Sequence, residues 1–386
     1  MPRSVKAKIN GLMLSWTRRE AGLDEGALAK LLKKKAEDVV RWESGEAFPT
    51  IRQARALARY CDQPFAALFL PDPPRRSAPT LKDFRRLPEA MGNAQSRKLR
   101  IEIRRSFERR EVELELCREL GKPVRSFGVE VGPTDSPASL ATKLRAALDL
   151  SADAQKKWGD NRKAFSALRE KVSALGVEVF QSKGIKVAEM RGFSINEQPL
   201  PVIVLNRQDS YAGRLFTLIH ELVHVIKNVP SLCDLDESAE HYQATLHEEV
   251  FCNAVAGNFL VPTEDLLGQE VVKNHQGMVW NDELIEHLAR QYSVSREVIL
   301  RRLLDLGKTN TQFYEAKRRQ YSEAISVRPK RKGYLSPSAD AISRLGANFV
   351  GLVTSAYASE VITINDASDY TGLKVGQLEN LLTSSG

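Results

Sequence analysis

Apolar residues recur every three or four positions through the first 70 residues, with short polar breaks between the runs. Leu28, Ala29 and Leu32 follow this spacing, and Val39, Val40 and Trp42 begin a second such run, so each run places apolar side chains on one face of a helix. The stretch "LPDPPRRSAPT" then ends the pattern, because its four prolines cannot continue a helix. We therefore predict a compact all-helical domain over residues 1–74.

A long, highly charged pattern follows in "QSRKLRIEIRRSFERREVELELCREL", where Glu and Arg stand at i,i+3 and i,i+4 spacings. It predicts one long helix within a charged helical connector over residues 75–130. After a break that contains Gly and Pro, "SLATKLRAALDL" and "NRKAFSALREKVSALG" predict two more helices.

The period changes to that of strands after Gly176. "GVEVFQSK", "VAEMRGFSI" and "PLPVIVLN" are short β-rich runs bounded by turn residues, so we predict a small three-stranded sheet. Helical periodicity returns in "RLFTLIHELVHVIKN" and in "EEVFCNAVAGNFLVP", where Pro262 is expected to end the helix. The expected fold is α+β and mostly helical, with a central domain at residues 131–270 and a helical C-terminal region at residues 271–386.

The chain has 386 residues, which is longer than one hydrophobic core usually organises. No run approaches the roughly 18 apolar residues that span a bilayer, and the first residues lack a signal-peptide core, so we expect a cytoplasmic protein without membrane contact. The four cysteines are far apart and form no CxxC pair, which argues against disulfides and against a thiolate zinc site. A net charge of +8 permits binding to nucleic acid without requiring it.

A metal-binding pattern stands inside the apolar helix at residues 214–228. His220, Glu221 and His224 form an H-E-x-x-H motif, whose i,i+4 spacing puts two imidazoles on one helix face within reach of one ion. Glu221 lies about 100° around the helix from His220, placed to take a proton from water as a general base. The alternative is two ordinary core histidines, which would be costly to bury among apolar neighbours without a partner. We predict a zinc site, with Mn²⁺ as the alternative metal.

A catalytic zinc needs a third protein ligand and keeps one position open for water. Glu249 and Asn253 are i,i+4 on the second apolar helix and are expected to project together toward the first, which favours Glu249 as the ligand. Its neighbour Glu248 fits better as a solvated carboxylate at a helix N-terminus. The other acidic and histidine candidates in this stretch are Asp234, Asp236, Glu237, Glu240, His241 and His247.

The two stretches "RLFTLIHELVHVIKN" and "EEVFCNAVAGNFLVP" resemble the ImmA/IrrE family of metallo-endopeptidases. In the family's second motif Glu249 takes the metal-ligand position, while Cys252, Val255 and Phe259 replace an alanine, a phenylalanine and a leucine as small apolar changes. The resemblance covers residues 135–265. It implies a metallopeptidase domain whose metal ligands are His220, His224 and Glu249 and whose catalytic residue is Glu221.

Residues 1–74 resemble the XRE-type helix-turn-helix, most clearly in "VVRWESGEAFPTIRQARALARYCDQPFAALF". This resemblance implies a module that binds DNA or docks on a partner protein. Lys33 stands at the turn position where glycine is usual because the backbone prefers φ > 0, and Lys35 stands at the N-cap of the recognition helix. Glu37 and Asp38 oppose contact with phosphates. The residues expected to favour DNA contact are Lys33, Lys34, Lys35 and Arg41.

Relatives of this kind cleave a separate XRE-type repressor, so the resemblance implies a regulatory zinc-dependent endopeptidase that controls transcription. The alternative is a non-enzymatic DNA-binding regulator, such as the antitoxin-like partner of a toxin, that keeps the peptidase fold. Two more stretches, "LIEHLARQYSVSREVILRRLLDLG" and "TINDASDYTGLKVGQLENLL", have a helix-turn-helix rhythm that three-helix packing also produces. The basic stretch "RPKRKGY" is either a nucleic-acid sensor or a solvated loop. Candidates for stabilising an oxyanion are Tyr211, His241 and Tyr334.

Overall fold

The computed structural model describes residues 5–74, 96–125, 127–129, 132, 135–228, 239–326 and 335–383, with the backbone alone at 239–245, 322–326 and 382–383. These residues are mostly helical with one three-stranded sheet, which confirms the predicted α+β class. They divide into two compact units, the first containing residues 5–74 and 96–108 and the second the residues from 109 onward. The basic stretch at residues 328–334 lies outside the described residues.

The first unit is a bundle of short helices around one apolar core. Buried side chains from the helices form this core, among them Leu28, Val39 and Leu57. A 3₁₀ turn at Phe65–Phe69 follows the fourth helix. The helices of this unit are α1 (Gly11–Glu20), α2 (Glu25–Leu32), α3 (Ala36–Glu43), α4 (Ile51–Cys61) and the first half of α5 (Arg97–Glu119).

The connection between α2 and α3 is a sharp turn made by a residue with positive φ. Lys33 ends α2 with φ of 54° and ψ of 49°, the left-handed conformation expected at this position. Lys35 is the N-cap of α3, also as predicted, and its backbone N–H donates to the Asp38 carboxylate at 3.3 Å. The buried Arg18 donates to Glu43 at 2.7 Å and so ties α1 to α3.

Helices also make up most of the second unit. Their N-termini carry the expected caps; the Asp160 carboxylate, for example, accepts from the backbone N–H of Lys163 at 2.8 Å. The helices are α6 (Pro137–Ala147), α7 (Ala152–Lys156), α8 (Asn161–Ala174), α9 (Tyr211–Lys227), α10 (Ala239–Leu260), α11 (Thr263–Gly268), α12 (Glu270–Lys273), α13 (Asp282–Tyr292), α14 (Arg296–Asp305), α15 (Thr311–Ser326), α16 (Pro337–Leu345), α17 (Ala347–Ala358), α18 (Ile364–Thr371) and α19 (Val375–Thr383).

The sheet of the second unit consists of the three predicted strands. β1 (Glu178–Ser182) pairs in parallel with β3 (Val202–Asn206), and β2 (Gly192–Ile195) pairs antiparallel with β3, giving the order β1-β3-β2. All strand residues are buried because helices cover both faces. On one face Phe180 packs against Phe349 of α17 with 5.7 Å between ring centroids, and on the other the strands join the core with α8 and α9.

Helix α9 leaves the end of β3 and packs against both the sheet and α10. Ser210 caps its N-terminus by accepting from the backbone N–H of Gly213 at 3.0 Å, and Asn228 ends it in the left-handed conformation. Leu222 of α9 and Phe259 of α10 are fully buried in the same core. This packing holds the two helices side by side, so that polar side chains from both helices can meet.

The C-terminal helices contribute to the far edge of the sheet. Arg169 of α8 donates to the Ser343 carbonyl of α16 at 2.7 Å, and Arg207 forms an ion pair with Asp340. These contacts anchor α16 beside β1. In the described part of the chain, no helix combines the length and apolar character needed to cross a membrane.

Candidate metal centre

The H-E-x-x-H motif lies on a buried stretch of α9. The side chains of His220 and His224 are only 1% and 2% exposed, and Glu221 is also buried. Because the two histidines are i,i+4, their rings share one helix face and their Nε2 atoms are 3.1 Å apart. The surrounding core, which includes Leu218 and Leu222, excludes bulk water from the helix on its other faces.

Glu249 of α10 completes a triangle of donor atoms. Its Oε2 lies 3.4 Å from Nε2 of His220, and its Oε1 lies 3.3 Å from Nε2 of His224. Tetrahedral zinc, with bonds of about 2.0–2.2 Å to nitrogen and oxygen, places its ligand atoms about 3.3 Å apart. The separations between the three side chains are therefore close to those that one zinc ion requires.

The charges of this triangle suit a cation. Burial lowers the pKa of His224, but contacts with Cys252 and Glu249 outweigh burial and raise this pKa well above its ordinary value. Burial also raises the pKa of Glu249, yet its hydrogen bonds with His220 and His224 hold this pKa well below the ordinary range. Positive charge between these groups is thus stabilised, and a divalent cation can supply it in place of a proton.

The triangle is open to solvent on the side of the carboxylate. The Glu249 side chain is 34% exposed, whereas both imidazoles are almost fully buried. A catalytic metal site needs such an opening, because a fourth coordination position must admit water and substrate. Glu221 is the residue next to His220 on α9, so the helix itself sets its relation to the donors.

The structure separates Glu249 from the other candidate ligands. Glu248 does not lie at a helix N-terminus as expected, because α10 begins at Ala239, and its carboxylate instead accepts from Lys227 of α9 at 2.7 Å. That expectation was wrong. His247 is exposed and Asn253 is half-buried. Outside the described side chains lie Asp234, Asp236, Glu237, Glu240 and His241.

A chain of contacts behind His224 was not anticipated from the sequence. Cys252 Sγ lies 3.8 Å from Nδ1 of His224 and 3.7 Å from Oε1 of Glu248. Asn196 also donates to the backbone carbonyl of His224 at 3.4 Å. Helical spacing was the available signal, since Glu248 and Cys252 are i,i+4, but the sequence pattern treated Cys252 only as a small apolar replacement.

Of the oxyanion candidates, Tyr211 is the one whose side chain is described. It begins α9, and its ring centroid lies 3.9 Å from the guanidinium carbon of Arg214. It lies nine positions before His220 on the helix, a rise of about 13.5 Å. Tyr211 is therefore too far from the donor triangle for this role, and His241 and Tyr334 lie outside the described side chains.

Three of the four basic residues predicted to contact DNA lie in the turn between α2 and α3, and Arg41 lies in the last turn of α3. Of the two acidic residues expected to oppose phosphates, Glu37 is exposed, whereas Asp38 is half-buried and bonded to the backbone of Lys35. Arg41 is exposed, with its guanidinium 3.8 Å from the carboxylate of Glu46. The exposed lysines of the turn are Lys33, Lys34 and Lys35.

The two later helix-turn-helix rhythms correspond to α13–α14 and α18–α19, which are joined by turns starting at Ser293 (φ 58°) and Gly372 (φ 68°). On α14, exposed Arg301 pairs with Asp305 at 2.9 Å. The apolar face of α14 lies in the main core of the second unit. The rhythm at α13–α14 thus reflects packing of helices within this unit.

Two helices bring two histidines and a glutamate together beside a small sheet, and this His₂Glu set could hold a metal ion, as such sets do in metallopeptidases. Residues 172–304 match the model of the Peptidase_M78 family, described as the IrrE N-terminal-like domain. The matched region contains the three strands and both helices of the donor triangle, and it supports the resemblance to the ImmA/IrrE family. No curated protein and no solved structure matches the chain.

The family match differs in extent from the resemblance seen in the sequence. It begins at residue 172 and continues to residue 304, so it reaches past α10 to include α13 and most of α14. It does not include residues 1–74, whose assignment as an XRE-type domain stays a prediction.

Proposed function

We propose that the second unit is a zinc-dependent endopeptidase in which His220, His224 and Glu249 bind the metal ion. The observation that carries this proposal is the donor triangle, in which the two Nε2 atoms are 3.1 Å apart and each lies 3.3 or 3.4 Å from a different carboxylate oxygen of Glu249. The match of residues 172–304 to a peptidase family gives independent support. Mn²⁺ is the alternative metal, because imidazole and carboxylate ligands also bind it.

Zinc held by two imidazoles and one carboxylate supplies Lewis-acid chemistry, since it acidifies water and polarises a peptide carbonyl. Glu221 accepts the proton that the attacking water loses and passes it to the amine nitrogen as the carbon–nitrogen bond breaks. His220 and Glu221 are consecutive on a buried helix, which keeps the proton acceptor in a fixed relation to the donors. The side chain of Glu249 is partly exposed to solvent, and we propose that the peptide approaches the metal from this side.

The proposed substrate is a repressor of the XRE type, whose cleavage changes transcription. A peptidase domain calls for a protein substrate, and the resemblance of residues 1–74 to an XRE-type module supports a regulatory setting. In this setting the first unit binds DNA or docks on a similar module in the repressor. A non-enzymatic regulator, acting with a toxin partner, is the competing function.

The test compares the wild-type chain with Glu221→Gln. Glutamine keeps the side-chain size but cannot accept the proton, so cleavage should fall by about 10²–10⁴-fold while zinc content stays unchanged. The substrate is the repressor encoded nearest to this chain, and fragments that require metal are identified by mass spectrometry. Glu264→Gln, at an exposed position on α11, is the control. Cleavage by Glu221→Gln at the wild-type rate would contradict the proposal, and unaltered regulation in cells would favour the non-enzymatic function.

For the first unit we propose contact with nucleic-acid phosphates through the turn between α2 and α3. Three consecutive exposed lysines, Lys33 to Lys35, follow α2, and a left-handed residue makes the turn as in the XRE-type pattern. Asp38 is engaged with the backbone of its own helix, which leaves Glu37 as the exposed carboxylate beside this turn. The balance of charge therefore favours an anionic partner.

A further inference from the structure

We propose that Cys252 is a positioning residue that fixes the proton of the His224 imidazole on Nδ1. The proposal rests on the proposed function, in which His224 is a metal ligand. Cys252 Sγ lies 3.8 Å from His224 Nδ1, while Nε2 of the same ring lies 3.3 Å from Glu249 in the donor triangle. The two nitrogens of this ring thus face two different partners.

The position of the proton on the His224 ring decides which of its two nitrogens can bind a metal ion. A neutral imidazole offers a lone pair at one nitrogen only when its proton is on the other nitrogen. For Nε2 of His224 to bind a cation, the proton must stay on Nδ1, where it needs an acceptor. We assign this role to the sulfur of Cys252, which is a weak acceptor. The thiol is fully buried, so water does not compete for the proton.

The thiol is itself oriented by groups on both helices. Its S–H points to Oε1 of Glu248 at 3.7 Å, and Oε2 of Glu248 accepts from Lys227 at 2.7 Å. With the S–H donated to Glu248, a sulfur lone pair is directed to His224. The four residues therefore form one chain of contacts from the imidazole to the ammonium group of Lys227.

A separate cation site made by His224, Cys252 and Glu248 is the rival explanation, since their ligand atoms lie within 4.8 Å of one another. The ammonium group of Lys227 opposes it, because it already neutralises Glu248. A second cation would have to bind beside this positive charge. The positioning role needs no such rearrangement.

The experiment measures zinc affinity by competition with a chelator in the wild type, Cys252→Ala and Cys252→Ser. Serine and alanine differ by one hydroxyl group, which can replace the thiol as acceptor. We expect alanine to weaken zinc binding by about 10–100-fold, the usual effect of losing a partner of a ligand, and serine to stay within about threefold of wild type. Cys117→Ala, at a half-buried position on α5, is the control and should bind zinc as wild type does.

A second readout observes the proton itself. In zinc-loaded protein with ¹⁵N-labelled histidine, the Nδ1–H signal of His224 should be present in the wild type and the serine variant and should exchange rapidly with water in the alanine variant. If the cysteine variants do not fold, Glu248→Gln replaces them, and faster exchange of the same proton is expected because the thiol loses its charged partner.

The outcomes separate this proposal from the proposed function. Equal zinc affinity in all three proteins, or equal losses in the serine and alanine variants, would overturn the positioning role alone. Two zinc ions per chain, with one lost in Cys252→Ala, would overturn it in favour of a separate cation site. Absence of both zinc and Mn²⁺ binding by the wild type would overturn both, whereas metal binding without cleavage of any peptide would overturn only the endopeptidase.

Discussion

At the scale of single residues, two carboxylates of the second unit differ in protonation because their neighbours differ. Burial raises the pKa of Glu249, but the imidazoles of His220 and His224 more than reverse this effect. Glu113 of α5, only 7% exposed, has no such partner: burial raises its pKa to about 9, and the nearby charge of Glu178 adds to this effect. Glu249 is therefore charged at neutral pH and Glu113 is neutral.

Because the pKa of Glu113 is raised in the folded chain, we expect the free energy of unfolding to depend on pH. Its carboxyl group loses a proton near pH 4.5 when exposed and near pH 9 in the folded chain, so between these values the folded state holds one more proton than the unfolded state. The stabilisation is complete below the lower value and is lost as pH rises, at about 1.4 kcal/mol per pH unit. In Glu113→Gln this loss is absent, so the thermal midpoint of the variant should rise relative to wild type between about pH 5 and pH 8.

A matched control lies on the same helix. Glu115 is two residues further along α5 with its side chain 60% exposed, so Glu115→Gln makes the same substitution at a position where burial does not act and should lack the rise expected of Glu113→Gln. If Glu113→Gln behaves in the same way, the carboxyl group of Glu113 is charged in the folded chain and its burial does not control its protonation.

At the scale of elements, the turn between α2 and α3 carries a residue in a conformation that suits glycine. Lys33 has φ of 54°, and its side chain is exposed. A residue with a Cβ in this region costs about 1 kcal/mol or more, so Lys33→Gly should raise the free energy of unfolding by about 0.5–1 kcal/mol, after the greater flexibility of unfolded glycine is deducted. Denaturant unfolding of the full chain measures this change.

Lys34→Gly is the control for this substitution. It removes the same charge one residue later, where the backbone does not have positive φ, and so it should not stabilise the chain. Equal effects of the two substitutions would show that charge, and not backbone conformation, accounts for the difference.

Most elements near the candidate site could be predicted from the sequence because each has a local cause. Three apolar runs became β1, β2 and β3, and the second motif helix ended two residues before Pro262, as expected for a residue without an N–H. The i,i+4 spacing of His220 and His224 likewise placed both imidazoles on one helix face. These features depend on neighbours within one or two helical turns.

Contacts between helices could not be predicted with the same certainty. The sequence favoured Glu249 over Glu248 but assigned Glu248 to solvent, because nothing local indicates that Lys227 of another helix approaches it. Cys252 was taken as an apolar replacement for the same reason, since its contact with His224 arises only when α9 and α10 pack together. The roles of such residues depend on tertiary packing, which helical periodicity does not predict.

At the scale of the whole molecule, the two compact units carry different chemistry. The metal-binding residues proposed for catalysis all lie in the second unit, and the exposed lysines proposed for phosphate contact all lie in the first. The net charge of +8 is too small to demand nucleic-acid binding by the whole chain. A local cluster, in contrast, attracts phosphates through counterion release, which depends on how many phosphates the cluster neutralises.

The contrast between the small net charge of the chain and the local cluster of lysines gives a prediction for DNA binding by the full chain. Replacing Lys33, Lys34 and Lys35 together by alanine should weaken binding to duplex DNA and reduce the slope of log affinity against log salt by about 0.9 for each phosphate that the variant no longer neutralises. Fluorescence anisotropy over a series of salt concentrations measures both quantities. The matched control removes three positive charges from the second unit, at Lys157, Arg162 and Lys163, which are also exposed.

The two triple variants have the same net charge, so they separate local contact from overall attraction. If the first unit binds phosphates through its turn, the slope changes in the first variant and stays near the wild-type value in the control. Equal changes in both would mean that the whole chain attracts DNA without a specific surface. Absence of DNA binding by the wild type, combined with binding of the first unit to an XRE-type repressor, would instead assign the exposed lysines to docking on the substrate.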